Sequence, residues 1–381
     1  MIIKYSHYFA LLFFTFLTGC EKEGLVSPVY KNYTKDFDSV WTCFDLKYPL
    51  FDYKKIDWGD SYEQYKTKFN NISMDERNNL LVELLSIFKD PHINLTTSSG
   101  KIIGSFVPAN FTINYNATYL NKFTNSFNWH IENNTWGWGI TNNIGYIKIT
   151  SFKPSDLDTM VFERVLNSLA TTNGLVIDIR QNYGGSIYVI NNIWNRFTNE
   201  NKIVGYELYR NGPSHNEYAP EIPVISCPQG TFQYLKGVVL LIGQECASAG
   251  EVFAEAMSLN GSVTLVGDTT LGAVEAPLDY SLPDGTKFSV PIVAYLDNEH
   301  KPLEWSGVSP DIYIDPLKVK NNSAEDIVIE KAFDVINSVK HITSRSSRKG
   351  NRLHSKLLIR QTGALQRNLL PSRYVAGGRI D

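Results

Sequence analysis

One stretch of the sequence, from Gly237 to Met257 (GVVLLIGQECASAGEVFAEAM), limits the possible folds most strongly. A continuous apolar run comes first, then a short polar turn, and then apolar residues at helical spacing. An uninterrupted apolar run is typical of a strand with both faces buried, as in a parallel or mixed sheet. The stretch therefore predicts a buried strand, a tight turn and a helix that covers the sheet.

Similar runs occur at 174–180 (GLVIDIR) and 262–266 (SVTLV), and amphipathic helices are predicted over 153–170 and 186–197. A hairpin follows around Pro283-Asp284-Gly285, and residues 200–233 are predicted to be a polar excursion. Strands that alternate with helices from residue 145 onward predict an α/β (α+β) fold. We expect a mixed central sheet with flanking helices over residues 145–340.

The chain before residue 145 has a different pattern. Residues 33–95 carry aromatic side chains at intervals of three and four, and a Ser-x-x-Glu capping box begins at Ser73. Pro91 disfavours helical geometry in the residue before it, so the last helix should end near Asp90. We predict a small helical N-terminal domain over 33–95, followed by a β connector over 96–144 with a turn at Asn116–Asn121.

The two ends of the chain predict cellular location. Residues 1–20 have the apolar run of an export signal, and Leu17-Thr18-Gly19-Cys20 resembles the bacterial lipobox. Lipidation of Cys20 would make the protein an envelope lipoprotein with a tether at 21–32; a chance cysteine is the alternative. Residues 341–381 contain nine Lys or Arg and one acid, which predicts a flexible basic tail, solvated or near anionic surfaces.

Composition argues against several classes of function. The net charge is −3 and no basic stripe is interleaved with aromatic residues, so nucleic-acid binding is not expected. Without Cys20, three cysteines remain, so at most one disulfide can form, and no CxxC spacing indicates a metal site. No Walker or GxGxxG pattern accompanies the glycine pair Gly184-Gly185. We therefore predict no cofactor and no metal.

Ser248 lies where the polar turn meets the helix, and two roles are open to it. Serine is a common N-cap residue. A serine at this junction can also act as a nucleophile, because the first N–H groups of the helix have no intrahelical partner and can stabilise an oxyanion. Cys246 is either a small buried side chain in the same turn or a second nucleophile.

Four motifs in order resemble the C-terminal processing, or tail-specific, serine peptidase family. They are GLVIDIRQNYGG, the turn Ser248-Ala249-Gly250-Glu251, the Thr-x-Gly loop at 270–272, and Glu304-x-x-Gly-Val-x-Pro-Asp ending at residue 311. The resemblance covers about residues 33–335. It implies a ClpP/crotonase-like catalytic domain at 145–340 and a peptide or unfolded-protein substrate.

Two departures indicate one branch of that family. Members with a Ser-Lys dyad carry the lysine directly after the Thr-x-Gly loop, where this chain has Ala273, and the connector is too short for a full PDZ module. Both features are similar to the tricorn protease core, in which a histidine is the base. His92 occupies that motif position, although Pro91 removes a relay hydroxyl. His300, near Glu304 in sequence, is the reserve candidate.

The resemblance assigns roles to the remaining candidate residues. Ser248 would be the nucleophile, and the N–H of Ala249 with that of Gly184 or Gly185 would form the oxyanion hole. Glu304 would orient or polarise His92, through Ser306 or a water; Glu251 is the alternative acid, or only a first-turn helix charge.

The predicted activity is that of a serine endopeptidase of the carboxyl-terminal processing type. Two alternatives remain. One is a non-catalytic protein that binds a hydrophobic ligand or a peptide, because interphotoreceptor retinoid-binding proteins are similar in fold. The other is an esterase, which forms the same acyl-enzyme.

Overall fold

A computed structural model describes residues 29–346 apart from 105, 107, 109–110 and 322–324. The predicted signal peptide with Cys20, tether residues 21–28 and tail residues 347–381 lie outside the described residues. Within the described chain, no helix combines the length and the apolar character needed to cross a membrane.

The N-terminal region is helical, as predicted. It consists of α1 Thr34–Lys47, α2 Phe51–Lys54, α3 Trp58–Tyr65 and α4 Met74–Leu85. The capping box is present at the start of α4: the Ser73 hydroxyl accepts the N–H of Glu76, and the Glu76 carboxylate accepts the N–H of Ser73 at 2.7 Å. Lys55 follows α2 as its C-cap, and its φ of 54° turns the chain sharply before α3.

The helical region shares its core with the rest of the protein, which corrects the predicted boundary at residue 95. That boundary falls within β1 Asn94–Thr96, which pairs with β12 Lys287–Leu296 through Leu95 and Phe288. Buried aromatic side chains of the helices pack against the inner face of β12. Phe44, for example, stacks on Phe288 with ring centroids 6.4 Å apart.

The predicted connector is more structured than its sequence suggests. It contains β2 Ile102–Gly104, α5 Ala117–Thr124, β3 Trp129–Asn133 and β4 Trp136–Thr141. The turn predicted at Asn116–Asn121 is wrong, because Asn116 caps a helix by accepting the N–H of Tyr119 at 3.0 Å, and Leu120 is buried under the main sheet. Strands β3 and β4 extend the main sheet.

Within the described residues, the main sheet has a parallel part that consists of β5 Ile144–Ile149, β6 Leu175–Asp178, β9 Val238–Ile242, β10 Val263–Gly267 and β13 Ile312–Tyr313, and β3 and β4 are antiparallel. The order of these seven strands is β13-β10-β9-β6-β5-β4-β3. Successive side chains of β9 face opposite sides: Leu240 packs in the apolar cluster that includes Leu166 and Phe253, and Leu241 in the cluster that includes Val328 and Ala332. Burial of both faces explains the uninterrupted apolar runs and confirms the predicted fold class.

The helices on the first face are α6 Thr159–Ser168, α7 Ile187–Trp194 and α8 Ala249–Ser258. The described part of the chain ends with α9 Pro316–Asn321 and α10 Ile327–Ser346. Since α10 continues to Ser346, the predicted tail boundary at residue 341 is early by several residues.

A second sheet contains β2-β1-β12-β7-β8, with β11 Ala276–Ser281 also paired to β12. The predicted hairpin is therefore confirmed. The polar excursion is wrong, because residues 200–233 contain β7 Lys202–Tyr209 and β8 Ile222–Ser226. Most residues of these two strands are half-exposed or exposed, and several are polar. The sequence therefore lacks the apolar periodicity by which a strand is predicted.

Candidate active site

Ser248 is held in a conformation that L-residues rarely adopt. Its φ of 55° and ψ of −127° lie outside the main allowed regions, whereas an ordinary N-cap residue has β-region dihedrals. Its N–H donates to the carbonyl of Ala273 at 2.7 Å, and its own carbonyl accepts the N–H of Glu251 at 2.8 Å. Helix capping does not require this strain, so the conformation favours a functional role for the side chain.

Glu251 joins the Thr-x-Gly loop to the first turn of α8. Its buried carboxylate accepts the Thr270 hydroxyl at 2.5 Å and the N–H groups of Gly272 and Ala273 at 2.7 and 2.8 Å. Burial raises the pKa of Glu251, and these hydrogen bonds oppose the increase. Glu251 is thus neither the contact partner of a histidine nor only a helix charge; it holds the loop beside Ser248.

Gly184 of the glycine pair lies so close to Ser248 that a side chain would not fit between them. A Cβ on Gly184 would lie 2.7 Å from the Ser248 Cβ and 3.0 Å from the Ala249 nitrogen, and the φ of Gly184 is 94°. The N–H of Gly184, however, donates to Asn182 Oδ1 at 2.8 Å and is not available to an oxyanion. Within the described residues, the N–H groups of Gly185 and Ala249 have no acceptor.

His92 lies between the helical region and β1, and its side chain is only 14% exposed. Nδ1 is 3.3 Å from Asp90 Oδ1, without the alignment of a hydrogen bond, while the His92 N–H donates to the same oxygen at 2.8 Å. Burial alone would lower the pKa of His92, but the Asp90 carboxylate, with the charges of Glu304 and Glu251, raises it. Asp90 in turn lies within 4.8 Å of Glu304, which accepts the N–H of Val274, the residue after the Ala273 whose carbonyl accepts the Ser248 N–H.

Glu304 is buried and contacts groups other than His92. Its Oε1 is 2.8 Å from Lys54 Nζ, and its Oε2 accepts the N–H of Val274 at 3.0 Å. Burial and the charge of Asp90 raise the pKa of Glu304 to about 7. The predicted choice of Glu304 as the acid that orients His92 is corrected, because Asp90 is the carboxylate that faces Nδ1. The charge of Glu304 nevertheless raises the pKa of His92, as the predicted polarising role requires.

The proposed relay through Ser306 is also corrected. The Ser306 hydroxyl donates to the carbonyl of Leu303 at 3.0 Å, within its own turn. The motif around Glu304 instead docks on the Thr-x-Gly loop through main-chain contacts, including Trp305 N–H to the carbonyl of Gly272 at 2.8 Å.

Two other candidate catalytic residues, Cys246 and His300, have surroundings that explain them without a catalytic role. Cys246 is fully buried, and burial followed by the charge of Glu251 raises the pKa of its thiol well above the usual value, which supports the small buried side chain. His300, the reserve base, is half-exposed and pairs with Glu221 at 2.5 Å. It also stacks on Tyr206.

Lys54 and Glu275 are site residues that the sequence did not predict, and Asp90 had no predicted role. Lys54 Nζ lies 3.5 Å from Asp90, 3.6 Å from Glu275 and 2.8 Å from Glu304, and all four side chains are buried. No pattern distinguishes Lys54 from its neighbour Lys55, and only the fold buries one and exposes the other. The position of Asp90, two residues before His92, could have indicated that its carboxylate lies beside the histidine.

The lysine does not replace the dyad base that is absent at Ala273. Burial alone would lower the pKa of Lys54, but the charges of Glu275, Asp90 and Glu304 raise it, so the ammonium stays charged. The carboxylates of Asp90, Glu275 and Glu304 could otherwise form a metal site, with oxygens within 4.8 Å of one another. Lys54 already supplies the cation there.

Comparison with known protein families matches two models to this chain. Residues 143–314 match Peptidase family S41, and residues 29–86 match the tricorn protease C1 domain. The second match falls on the helical region that carries Lys54.

Among curated proteins, a carboxyl-terminal-processing protease from Picosynechococcus is 27% identical over 198 residues, which cover 51% of this chain and 45% of that protein. The carboxy-terminal processing protease CtpA of Bacillus subtilis is 26% identical over 173 residues, 45% of this chain and 35% of the relative. The chain thus spans less than half the length of these relatives.

Solved structures extend the similarity over most of the chain. A candidate peptidase from Parabacteroides merdae is 26% identical, with a TM-score of 0.70, over 80% of this chain and 96% of that one. The tricorn protease shares the fold at 18% identity and a TM-score of 0.54, over 81% of this chain and 37% of its own. Residues 143–314 therefore form a region of the S41 peptidase type, and the chain is similar to carboxyl-terminal-processing serine peptidases.

Proposed function

We propose that this protein is a serine peptidase that cleaves peptide bonds through an acyl-enzyme on Ser248. The strained conformation of Ser248 carries the proposal. Strain of about 1–3 kcal/mol at one residue persists only where the surrounding structure imposes it. Serine hydrolases use such a strand-to-helix turn to expose the nucleophile.

His92 is the proposed base. Nδ1 faces Asp90, so Nε2 is the nitrogen available to accept the proton of the Ser248 hydroxyl. As that proton moves to Nε2, Oγ attacks the peptide carbonyl, and the N–H groups of Ala249 and Gly185 stabilise the oxyanion. His92 then donates the proton to the departing amine, and water, deprotonated by the same nitrogen, releases the acyl group. Asp90 stabilises the imidazolium throughout.

The proposal is tested by labelling with a fluorophosphonate probe and by peptide turnover. Wild-type protein should label on Ser248 and cleave unfolded polypeptide, and Ser248→Ala should do neither. His92→Ala should lose about 10²–10⁴-fold in turnover with its fold intact. His300→Ala is the matched control and should retain full activity, because its side chain pairs with Glu221 on the surface.

The same experiment separates the alternative functions. Labelling with ester hydrolysis but no peptide cleavage would identify an esterase. Wild-type protein that never labels, beside a serine hydrolase that does, would indicate the non-catalytic binding protein.

The envelope location is a separate part of the proposal. It is supported by Leu17-Thr18-Gly19-Cys20, which lies outside the described residues. Cells grown with a fatty-acid analogue should incorporate it into the wild-type protein and not into Cys20→Ala, whereas Cys43→Ala should remain labelled. Equal incorporation into Cys20→Ala would exclude this anchor.

A further inference from the structure

Lys54 forms a buried ionic cluster with carboxylates from both parts of the chain. Lys54 and Asp90 belong to the N-terminal region, whereas Glu275 and Glu304 belong to the S41-type region, 250 residues away in the case of Glu304. The side chains of Lys54 and Asp90 are 0% exposed, and those of the two glutamates are 1–2% exposed. The ammonium therefore links two segments that the sequence keeps far apart.

Aromatic rings cover this cluster. Lys54 Nζ lies 5.4 Å from the centre of the Tyr48 ring and 5.3 Å from that of Trp305, within the range of cation–π attraction. Trp305 has a φ of 63°, which is unusual for a bulky residue, and its N–H is bonded to the loop beside Ser248. The cover keeps the local dielectric constant low and strengthens each ionic contact inside.

The charges of the cluster converge on Asp90. Burial, together with the charges of Asp90 and Glu304, raises the pKa of Glu275 well above its usual value. Burial alone would raise the pKa of Asp90, but the neighbouring Glu275 carboxyl and the Lys54 ammonium lower it. Asp90 thus keeps its negative charge while buried, directly beside Nδ1 of His92.

We propose that Lys54 is a positioning residue for His92: anchored by Glu275 and Glu304, its ammonium fixes Asp90, and Asp90 holds the imidazole toward Ser248. The inference rests on the proposed function, in which His92 is the base. It explains why the base comes from the N-terminal region although the nucleophile belongs to the main sheet. The contacts of Lys54 across the shared core set the position of His92 relative to Ser248.

The test is a double-mutant cycle between Lys54 and His92, read as the rate of Ser248 labelling by a fluorophosphonate. With His92 present, Lys54→Met should lower the labelling rate and kcat about 100-fold, because a displacement of roughly 1 Å has that effect, while KM changes little. In the His92→Ala background, Lys54→Met should cause no further loss. Lys55→Met, a change of the adjacent exposed lysine, should match wild type.

Each outcome decides the inference. Equal losses in both backgrounds would mean that Lys54 acts only on the fold, and unchanged kcat in a folded Lys54→Met would also overturn the inference. If Lys54→Met does not fold, Asp90→Asn takes its place in the same cycle, because it removes the charge with little change of volume. Failure of the proposed function is distinct: wild type would not label at all, or His92→Ala would label like wild type.

Discussion

Replacing Ser248 by glycine should stabilise the protein relative to replacing it by alanine. Both variants lack the hydroxyl, so they differ only in the Cβ. Alanine retains the strain of φ 55° and ψ −127°, whereas glycine adopts such dihedrals without a steric penalty.

The size of the difference follows from two opposing terms. The strain costs about 1–3 kcal/mol. Glycine loses roughly 0.5–1 kcal/mol more backbone entropy than alanine on folding. The net expectation is that Ser248→Gly is more stable than Ser248→Ala by about 1 kcal/mol, or roughly 1–2 °C in Tm for a chain of this size.

Thermal and urea unfolding of the two variants measure this difference, and a second pair on the same helix is the control. Ser258 is the last residue of α8 and has ordinary helical geometry. There the order should reverse, with Ser258→Gly less stable than Ser258→Ala by up to about 1 kcal/mol. The strain argument is refuted if glycine is no better than alanine at 248 while the pair at 258 behaves as expected.

Three further predictions follow from the structure. Gly184→Ala places a Cβ 2.7 Å from that of Ser248 at a φ of 94°, so fluorophosphonate labelling should fall at least about 10-fold; an unchanged rate would contradict this close approach. Burial, with neighbouring acids, raises the pKa of Glu255 to about 7, so Glu255→Gln should stabilise the protein by about 3 kcal/mol at pH 8.5. The gain should vanish at about pH 3, where the carboxyl is protonated in both the folded and the unfolded chain, and urea unfolding at each pH measures it. Arg180→Met leaves the buried carboxylates of Asp178 and Asp326 without their shared cation and should cost about 3–5 kcal/mol at pH 7; a loss below 1 kcal/mol would be inconsistent with the ionic contacts.

The sequence was most informative where structure depends on near neighbours. The apolar runs of β6, β9 and β10, the capping box at Ser73 and the hairpin turn at 283–285 all depend on residues within a few positions of one another. The half-exposed strands β7 and β8 and helix α5 were missed for the opposite reason. Their residues are selected by the surfaces that they contact, so no clear periodicity marks them.

The residues of the candidate site also differ in whether the sequence could predict them. The placement of Ser248 at a strand-to-helix junction follows from local pattern alone, and the motif position of His92 could be identified beside Pro91. Which acid contacts the histidine could not be predicted, and Glu304 was chosen where the structure has Asp90. In sequence, Glu304 stands in a motif and Lys54 in none, although both belong to one ionic cluster.

The sequence by itself thus determined the fold class, the turn that presents Ser248 and the absence of a lysine at position 273. Only the tertiary structure decided that the helical region shares its core with β12, that Glu251 holds the Thr-x-Gly loop, and that Lys54 joins Asp90 to Glu304. The physical reason is that turns, helix caps and the periodicity of apolar residues depend on residues that are only a few positions apart in the chain. The partners of a buried charge are instead set by packing, which brings together residues that are far apart in sequence.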